Sequence, residues 1–391
     1  MSAVLKNIDD LIYDPVARAI GLAFALNAVL FSAWYTRIAD VQVALGLSDG
    51  VLGLVMLGLP VGSIIALPIA SAIIGAVGEG RSTLIAGFTC CAALVLPAFA
   101  PGAPSLFLVL VVLGLGNGTM DVSMNAAASS YERLSGRSIM TTFHAMFSVG
   151  GIVGAVIGTL AIMAGLAPGG HLALVALATA ALLIACIAGW RRFQPAVRLG
   201  PVFALPSRPL LVLAGMAFLI FMGESVVADW SAVFIANHLG AAPAMAPLGF
   251  MAFSTGMMVG RVFGDAAIDR FGALTIMRFG ALMAFGGLLV AAVPASVPLA
   301  IVGFGVTGLG LSALVPILFG MAGRTPGMSS GTSIAAVASI GYSGWLAGPP
   351  LIGAISEAFG LSMALVLIAF GMCVVAAASG LIGPRSGGRA A

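Results

Sequence analysis

The sequence reads Gly114-Leu-Gly-Asn-Gly-Thr-Met-Asp-Val-Ser-Met-Asn125 inside an apolar run, residues 104–128, that is long enough to cross a membrane. Asn117, Asp121 and Asn125 are spaced four apart, so on a helix they share one face. Polar side chains in hydrocarbon are costly and are tolerated where they face protein or water. The stretch therefore predicts a bundle of membrane helices with a polar interior.

The composition of the whole chain excludes a soluble domain. Of the 391 residues, 61% are hydrophobic and 7% are charged, whereas soluble domains have about a quarter charged residues. We expect an all-α membrane protein that spans the lipid bilayer, binds no nucleic acid and carries no cofactor. The four cysteines lie in apolar runs without metal-ligand spacing and are interpreted as small buried residues: Cys90, Cys91, Cys186 and Cys373.

Twelve apolar runs of about 20 residues alternate with short connections. The longest connection, residues 191–208, contains four arginines and three prolines. We interpret it as a cytoplasmic linker between an N-terminal six-helix bundle, residues 1–190, and a C-terminal six-helix bundle, residues 209–391.

The basic residues predict the orientation of these spans. With the N-terminus inside, 15 of the 16 Lys and Arg residues lie at or near the cytoplasmic side, and Arg37 alone lies outside. The positive-inside rule therefore favours an even number of spans in a bacterial inner (plasma) membrane, with both termini cytoplasmic. The 15 residues are Lys6, Arg18, Arg81, Arg133, Arg137, Arg191, Arg192, Arg198, Arg208, Arg261, Arg270, Arg278, Arg324, Arg385 and Arg389.

The two halves repeat at an offset of 194 residues. Gly114-Leu-Gly116 matches Gly308-Leu-Gly310, and Gly150 with Gly154 matches Gly344 with Gly348. Because each half has an even number of spans, both halves cross the membrane in the same direction. Parallel repeats of this kind occur in twelve-span alternating-access transporters.

A charged stretch between spans 8 and 9 reads Gly260-Arg-Val-Phe-Gly-Asp-Ala-Ala-Ile-Asp-Arg-Phe-Gly272. Its glycines permit a tight turn and close helix contact, and its charges could join two helices at the cytoplasmic side in one state and release them in another. A charged loop that only sets the topology is the alternative. The gating candidates in this stretch are Arg261, Asp265, Asp269 and Arg270.

Four ionisable side chains inside the apolar runs are candidates for proton coupling. If the spans are helical, Asp121 lies about 12 Å and His144 about 9 Å from the cytoplasmic side, where the two could meet. Glu224 lies about 22 Å from that side and Asp229 near the outer end. None has an acidic partner at offset 194, which indicates a single coupling site. Helix capping or a core histidine is the structural alternative.

Amide and indole side chains supply candidates for substrate contacts. The tryptophans suit an aromatic belt at the membrane surface equally well. The substrate-contact candidates are Asn27, Asn117, Asn125, Trp34 and Trp230.

Arg37 and Asp40, at the outer end of span 1, are interpreted either as an exposed pair or as an extracellular gate. We place His171 and His238 in external loops and assign them no role.

The stretch from Gly260 to Gly272 resembles the loop signature of the major facilitator superfamily, and the resemblance covers essentially the whole chain. In that family the signature recurs between spans 2 and 3, but here Ser71, Gly75 and Ala76 replace its charges. The sequence is more similar to the YbjJ-type branch of this superfamily. The matching stretches are Asn117–Asn125, Glu132-Arg133, Phe143–Ser148, Gly223-Glu224 and Asp229-Trp-Ser231.

That branch is similar to fucose/galactose-type proton symporters, which implies a sugar- or polyol-like substrate. We expect a monomeric secondary transporter that binds a small molecule near the bilayer midplane and couples its movement to protons by alternating access. A proton-driven exporter of metabolites or drugs is the first alternative, and a non-transporting membrane receptor is the second. An enzyme is not expected, because no nucleophile–base pair or metal cluster has useful spacing.

Overall fold

The computed structural model describes residues 9–136, 139–193, 206–325 and 330–382. Within these ranges the side chains of Arg192, Pro209, Asp265, Ser330 and Gly331 are not described. Most of the predicted linker, residues 194–205, and the termini with Lys6, Arg385 and Arg389 lie outside the described residues, as do Arg137 and Arg198. The division into two bundles at residues 190 and 209 stays a prediction.

Nine labelled α-helices lie in the described residues of the first half. Asp14 caps the first of them through a 2.8 Å hydrogen bond from the Val16 amide, and Pro15 at its first position suits a helix start. The helices are α1 (Pro15–Tyr35), α2 (Ile38–Leu45), α3 (Asp49–Met56), α4 (Gly58–Val77), α5 (Glu79–Leu94), α6 (Ala103–Ser135), α7 (Met140–Met163), α8 (Pro168–Ala185) and α9 (Ile187–Arg192).

Seven more α-helices lie in the described residues of the second half, 206–325 and 330–382. The first of them continues through a π-helical turn, Phe234–His238, at its C-terminal end. The helices are α10 (Leu211–Val233), α11 (Pro247–Phe271), α12 (Ala273–Ala292), α13 (Val297–Leu311), α14 (Leu314–Ala322), α15 (Ser330–Phe359) and α16 (Leu361–Ala378).

Among the residues that the structure describes, ten helical segments are long and apolar enough to cross a membrane. Three of them combine two helices, as in Asp49–Val77, where α3 and α4 meet at Leu57. Helices α11 and α15, with 25 and 30 residues, are also long enough, and counting them would give the twelve predicted spans.

The structure corrects the predicted boundary between spans 8 and 9. The sequence suggested a charged loop from Gly260 to Gly272, but α11 continues to Phe271 and Gly272 alone makes the turn, with φ of 83°. Gly78 makes the equivalent turn in the first half with φ of 85°. The positive φ explains why both positions, 194 residues apart, are glycine.

Glycines place the helices of the two halves in matching contacts. A Cβ on Gly62 would overlap the Val111 carbonyl oxygen, and a Cβ on Gly256 would overlap that of Gly305. Both members of the second contact are 194 residues beyond the first. The sequence repeat is therefore also a repeat of helix packing, as expected where small residues let membrane helices approach closely.

We expect Gly62→Val to destabilise the protein by about 1–3 kcal/mol, because the added side chain must push α4 away from α6. Gly75→Val in the same helix is the matched control, since a Cβ at Gly75 meets nothing within 4 Å. Thermal unfolding in detergent measures both. Equal melting temperatures for the two variants would contradict the close contact.

The bundle has two distinct ends. We call the end that carries Arg18, Arg81, Arg133 and Arg270 the basic end, and the other the opposite end. At the basic end, the Tyr131 hydroxyl donates a 2.6 Å hydrogen bond to Asp14, and Trp190 packs on Gly80. At the opposite end, α1 meets α2 and α7 approaches α8. Large apolar side chains are exposed along the sides of the bundle, as a lipid-facing surface requires; examples are Leu177 (71% exposed), Phe279 (65%) and Phe370 (54%).

Candidate functional site

Two charged side chains face each other deep between the halves. Glu224 on α10 and Arg261 on α11 are within electrostatic range of one another, and both side chains are half-buried. Arg261 also donates a 3.0 Å hydrogen bond to the Ser148 hydroxyl on α7, in the other half. We call Glu224, Arg261, Ser148 and the neighbouring His144 the central charge cluster.

The position of Arg261 differs from the one predicted. Arg261 lies ten residues before the end of α11, about 15 Å from the basic end, so it belongs to the interior and not to a loop. The other gating candidates behave differently: Asp269 and Arg270 are exposed at the basic end, where Arg270 lies over the Phe271 ring. The side chain of Asp265 is outside the described part of the chain.

His144 joins the central charge cluster instead of meeting Asp121. Its ring lies edge-on to Phe24, with centroids 5.1 Å apart, and it is within electrostatic range of Arg261. Asp121 accepts a 3.1 Å hydrogen bond from Asn125 and faces the Tyr342 hydroxyl across the two halves. The predicted pairing of Asp121 with His144 is absent from the contacts of the described residues, because α6 and α7 present them to different neighbours.

The amide side chains of Asn27, Asn117 and Asn125 make their hydrogen bonds within the first half. Asn27 on α1 donates a 2.9 Å hydrogen bond to Asn117 on α6, and both side chains are buried. This bond joins two helices of one bundle and leaves little surface for a substrate. Asn125 donates to both the backbone carbonyl and the carboxylate of Asp121, so it orients that acid.

A pocket lies between the halves, nearer the opposite end. Ser225 and Asp229 on α10 form its polar wall. The Ser225 hydroxyl donates a 3.1 Å hydrogen bond to Asp229 Oδ2. Three aromatic side chains complete it: Trp34, Tyr35 and Trp345. Of these, only Trp34 is among the substrate-contact candidates that the sequence supplies. Trp345 is not, although an indole between the glycines of a membrane helix was an available signal.

Trp230 does not reach this pocket. It is fully buried, with an exposed fraction of 0%, which rules out the membrane-surface belt that the sequence left open. Packing against its own half accounts for its position.

Polar contacts join the halves at the opposite end. Asp49 on α3 accepts a 2.9 Å contact from His238 Nε2, a short hydrogen bond from Ser356 and a 2.7 Å bond from Gln42. The Gly50 amide donates a 3.0 Å hydrogen bond to Glu357. We call these residues the latch: Gln42, Asp49, Gly50, Asn237, His238, Ser356 and Glu357.

The sequence missed the latch, and it assigned His238 no role. The acids and the histidine of the latch lie at helix ends, where charged residues are usual and carry no spacing signal. Their partners are as far as 307 positions apart in the chain, so only the folded arrangement identifies them.

Arg37 belongs to a buried network within the first half instead of an exposed pair with Asp40, and its part in an extracellular gate stays a prediction. Its side chain is 3% exposed and donates to Asp40 at 2.7 Å, to the Leu166 carbonyl at 2.8 Å and to His171 Nδ1 at 3.1 Å. All of these partners belong to the first half. His171 is buried in the first turn of α8 and not in an external loop.

We expect Arg37→Met to lower the free energy of unfolding by about 3 kcal/mol, because it removes one member of a buried charged network. Arg270→Met, at an exposed site, should change it little. Thermal unfolding of the two variants tests this, and a loss no larger than that of Arg270→Met would show that the network adds no stability.

Helices of membrane length that enclose a polar pocket and buried charges define a membrane transporter. No family model matches the chain. An uncharacterized MFS-type transporter of Yersinia pestis is 33% identical over 358 residues, which cover 92% of this chain and 93% of that protein. The chain therefore belongs to the major facilitator superfamily (MFS) of transporters.

Two further relatives and two solved structures are also similar to this chain over most of its length. An uncharacterized transporter of Sinorhizobium fredii is 30% identical and the membrane protein MosC of Rhizobium meliloti 30% identical, each over 92% of this chain and 96% and 88% of those proteins. The nucleoside transporter NupG has the same fold, with a TM-score of 0.72 at 13% identity over 93% of this chain and 98% of that one.

A bacterial homologue of the human lysosomal transporter Spinster, in an inward-facing and occupied conformation, has a TM-score of 0.72 at 16% identity over 93% of this chain and 95% of that one. At such identities the likeness concerns the fold alone. These neighbours are transporters and not enzymes.

Proposed function

We propose that this protein is a proton-coupled secondary transporter that moves a small polar solute, sugar- or polyol-like, across the bacterial inner membrane. The resemblance to YbjJ-type proteins and to fucose/galactose-type symporters supports the substrate class. The positive-inside rule supports placing the basic end in the cytoplasm. The pocket lies within one chain, which favours a monomer as the working unit.

The central charge cluster is the observation on which the proposal rests. Glu224 and Arg261 belong to one half, whereas Ser148 and His144 belong to the other. Any movement of the halves must break or remake these contacts. Since ionisable side chains in a membrane interior are costly and mark proton and substrate pathways, protonation of Glu224 would change the energy of the contact between the halves.

The latch supports alternating access. It closes the opposite end, about 10 Å along α3 from the pocket residue Met56. Opening of the latch would then expose the pocket to the opposite side of the membrane. Movement of the two repeats about a fixed central site is the general mechanism of such folds.

Uptake into proteoliposomes tests the proposal. A panel of sugars, polyols, amino sugars and organic anions is screened by thermal shift, and uptake of the stabilising solutes is measured with and without an imposed pH gradient. We expect the gradient to drive accumulation and a protonophore to abolish it. Equal uptake under both conditions would refute proton coupling, and unchanged coupling in both Asp121→Asn and Glu224→Gln would remove these two acids as carriers.

A further inference from the structure

We propose that the solute carries a protonated amine, which binds at Asp229 between the aromatic side chains of Trp34, Tyr35 and Trp345. This inference deepens the proposed function and rests on it. It names an amine-bearing polar molecule as the substrate class and gives Asp229 the task of holding its charge.

Asp229 is a pocket carboxylate without a protein counter-charge. Ser225 occupies one of its oxygens, while the other has no hydrogen bond partner within the described chain. The direct ion pairs of the described residues are Arg37 with Asp40 and His238 with Asp49. Arg261 interacts electrostatically with Glu224 instead, and the buried Arg37 pairs with Asp40. A carboxylate that is partly removed from water is stabilised by a proton or a cation, and a cationic solute would supply the latter.

The aromatic walls suit a cation as well. Ammonium groups bind to the faces of Trp and Tyr rings within about 6 Å of the centroid. Tyr35 is near enough to Asp229 to interact with it electrostatically, so the ring and the carboxylate line the same part of the pocket. Neighbours hold the rings: Phe250 packs on Tyr35 with centroids 5.1 Å apart, and Phe221 meets Trp345 edge-on at 6.1 Å.

The indole N–H of Trp345 indicates a second group on the solute. Its Nε1 atom is buried and has no hydrogen bond partner in the described part of the chain. Buried donors normally have an acceptor, and a hydroxyl oxygen of the solute would provide one. The remaining wall is apolar, formed by Met56, Leu59 and Pro60, and matches a ring face. In this state the cavity measures about 30 Å³, which is room for an ammonium group, so the hydroxyl-bearing part of the solute would enter as the halves move apart.

Binding of matched probes to the purified, full-length protein tests this without any gradient. Glucosamine carries the ammonium, glucose and N-acetylglucosamine are its neutral counterparts, and tetramethylammonium has the charge without hydroxyls. Thermal stability and tryptophan fluorescence are read for each. We expect the two cations to bind and the neutral sugars to bind at least about tenfold more weakly.

Variants separate the two contacts. Asp229→Asn should lose both cations, while Asp9→Asn, at an exposed acid without an assigned role, should keep them. Trp345→Phe retains a ring but removes the N–H, so it should weaken glucosamine more than tetramethylammonium. If Asp229→Asn does not fold, the comparison of charged and neutral probes on the unaltered protein still decides.

The inference is overturned if glucose binds as tightly as glucosamine, if neither cation binds, or if Asp229→Asn binds them unchanged. Its failure is separable from that of the proposed function. Gradient-driven uptake of a neutral solute would support proton coupling and contradict the amine-bearing substrate. Amine binding at Asp229 without any effect of the gradient would support the amine-bearing substrate and contradict proton coupling.

Discussion

Glu224→Gln is expected to abolish pH-driven uptake while leaving exchange of solute across the membrane measurable. Glutamine keeps the shape of the side chain but can neither take up nor release a proton, so the gradient can no longer do work through it. Exchange needs only the loaded protein to change state. The readout is the ratio of gradient-driven to exchange uptake in proteoliposomes.

A purely structural role for Glu224 would give a different pattern. Removing one member of a buried charge pair costs about 3–5 kcal/mol because the other is left uncompensated, which is a change in an equilibrium constant of roughly 100-fold to 4,000-fold. The double variant Glu224→Gln/Arg261→Gln removes both charges and should recover stability. If it also recovers pH-driven uptake, Glu224 serves Arg261 and carries no proton.

A disulfide between Gly50→Cys and Glu357→Cys is expected to stop transport completely and reversibly. A Cβ placed on Gly50 lies 3.6 Å from the Cβ of Glu357, within the range of about 3.5–4.5 Å that disulfides require. The bond would replace the latch by a covalent link, so the opposite end could not open. Reduction should restore uptake.

Each single cysteine variant is the control for this experiment, and both should transport under oxidising conditions. Cys186 and Cys373 are partly exposed and are replaced by alanine beforehand to prevent other cross-links. Full transport by the oxidised double variant would show that the opposite end does not have to open, which contradicts alternating access through the latch.

The fold could be predicted from the sequence because its signals are local. Apolar length predicts spans, and glycines at one offset predict the repeat, since Gly62 and Gly256 need the same close contact in each half. The boundary errors have local causes too: the charges that follow Arg261 suggested a loop, although α11 carries them as a helix to Phe271.

The site was predicted only in part because its contacts are not local. Asp121, Glu224 and Asp229 stand out as acids in apolar runs, and their position inside the bundle follows from that. Nothing in the chain says that Arg261 turns inward to Glu224 or that His171 accepts from Arg37. Those contacts depend on which helices become neighbours, and spacing within one helix does not determine it.

Backbone meets backbone where α3 crosses α15. Gly53 lies so close to the Pro349 carbonyl and to Gly353 that even a methyl group would not fit. A water molecule needs a gap of at least about 10–15 Å³ and several polar partners, and this crossing offers no such gap. A dry crossing of this kind would keep protons from leaking past the solute pathway, so that protons cross the membrane only together with solute.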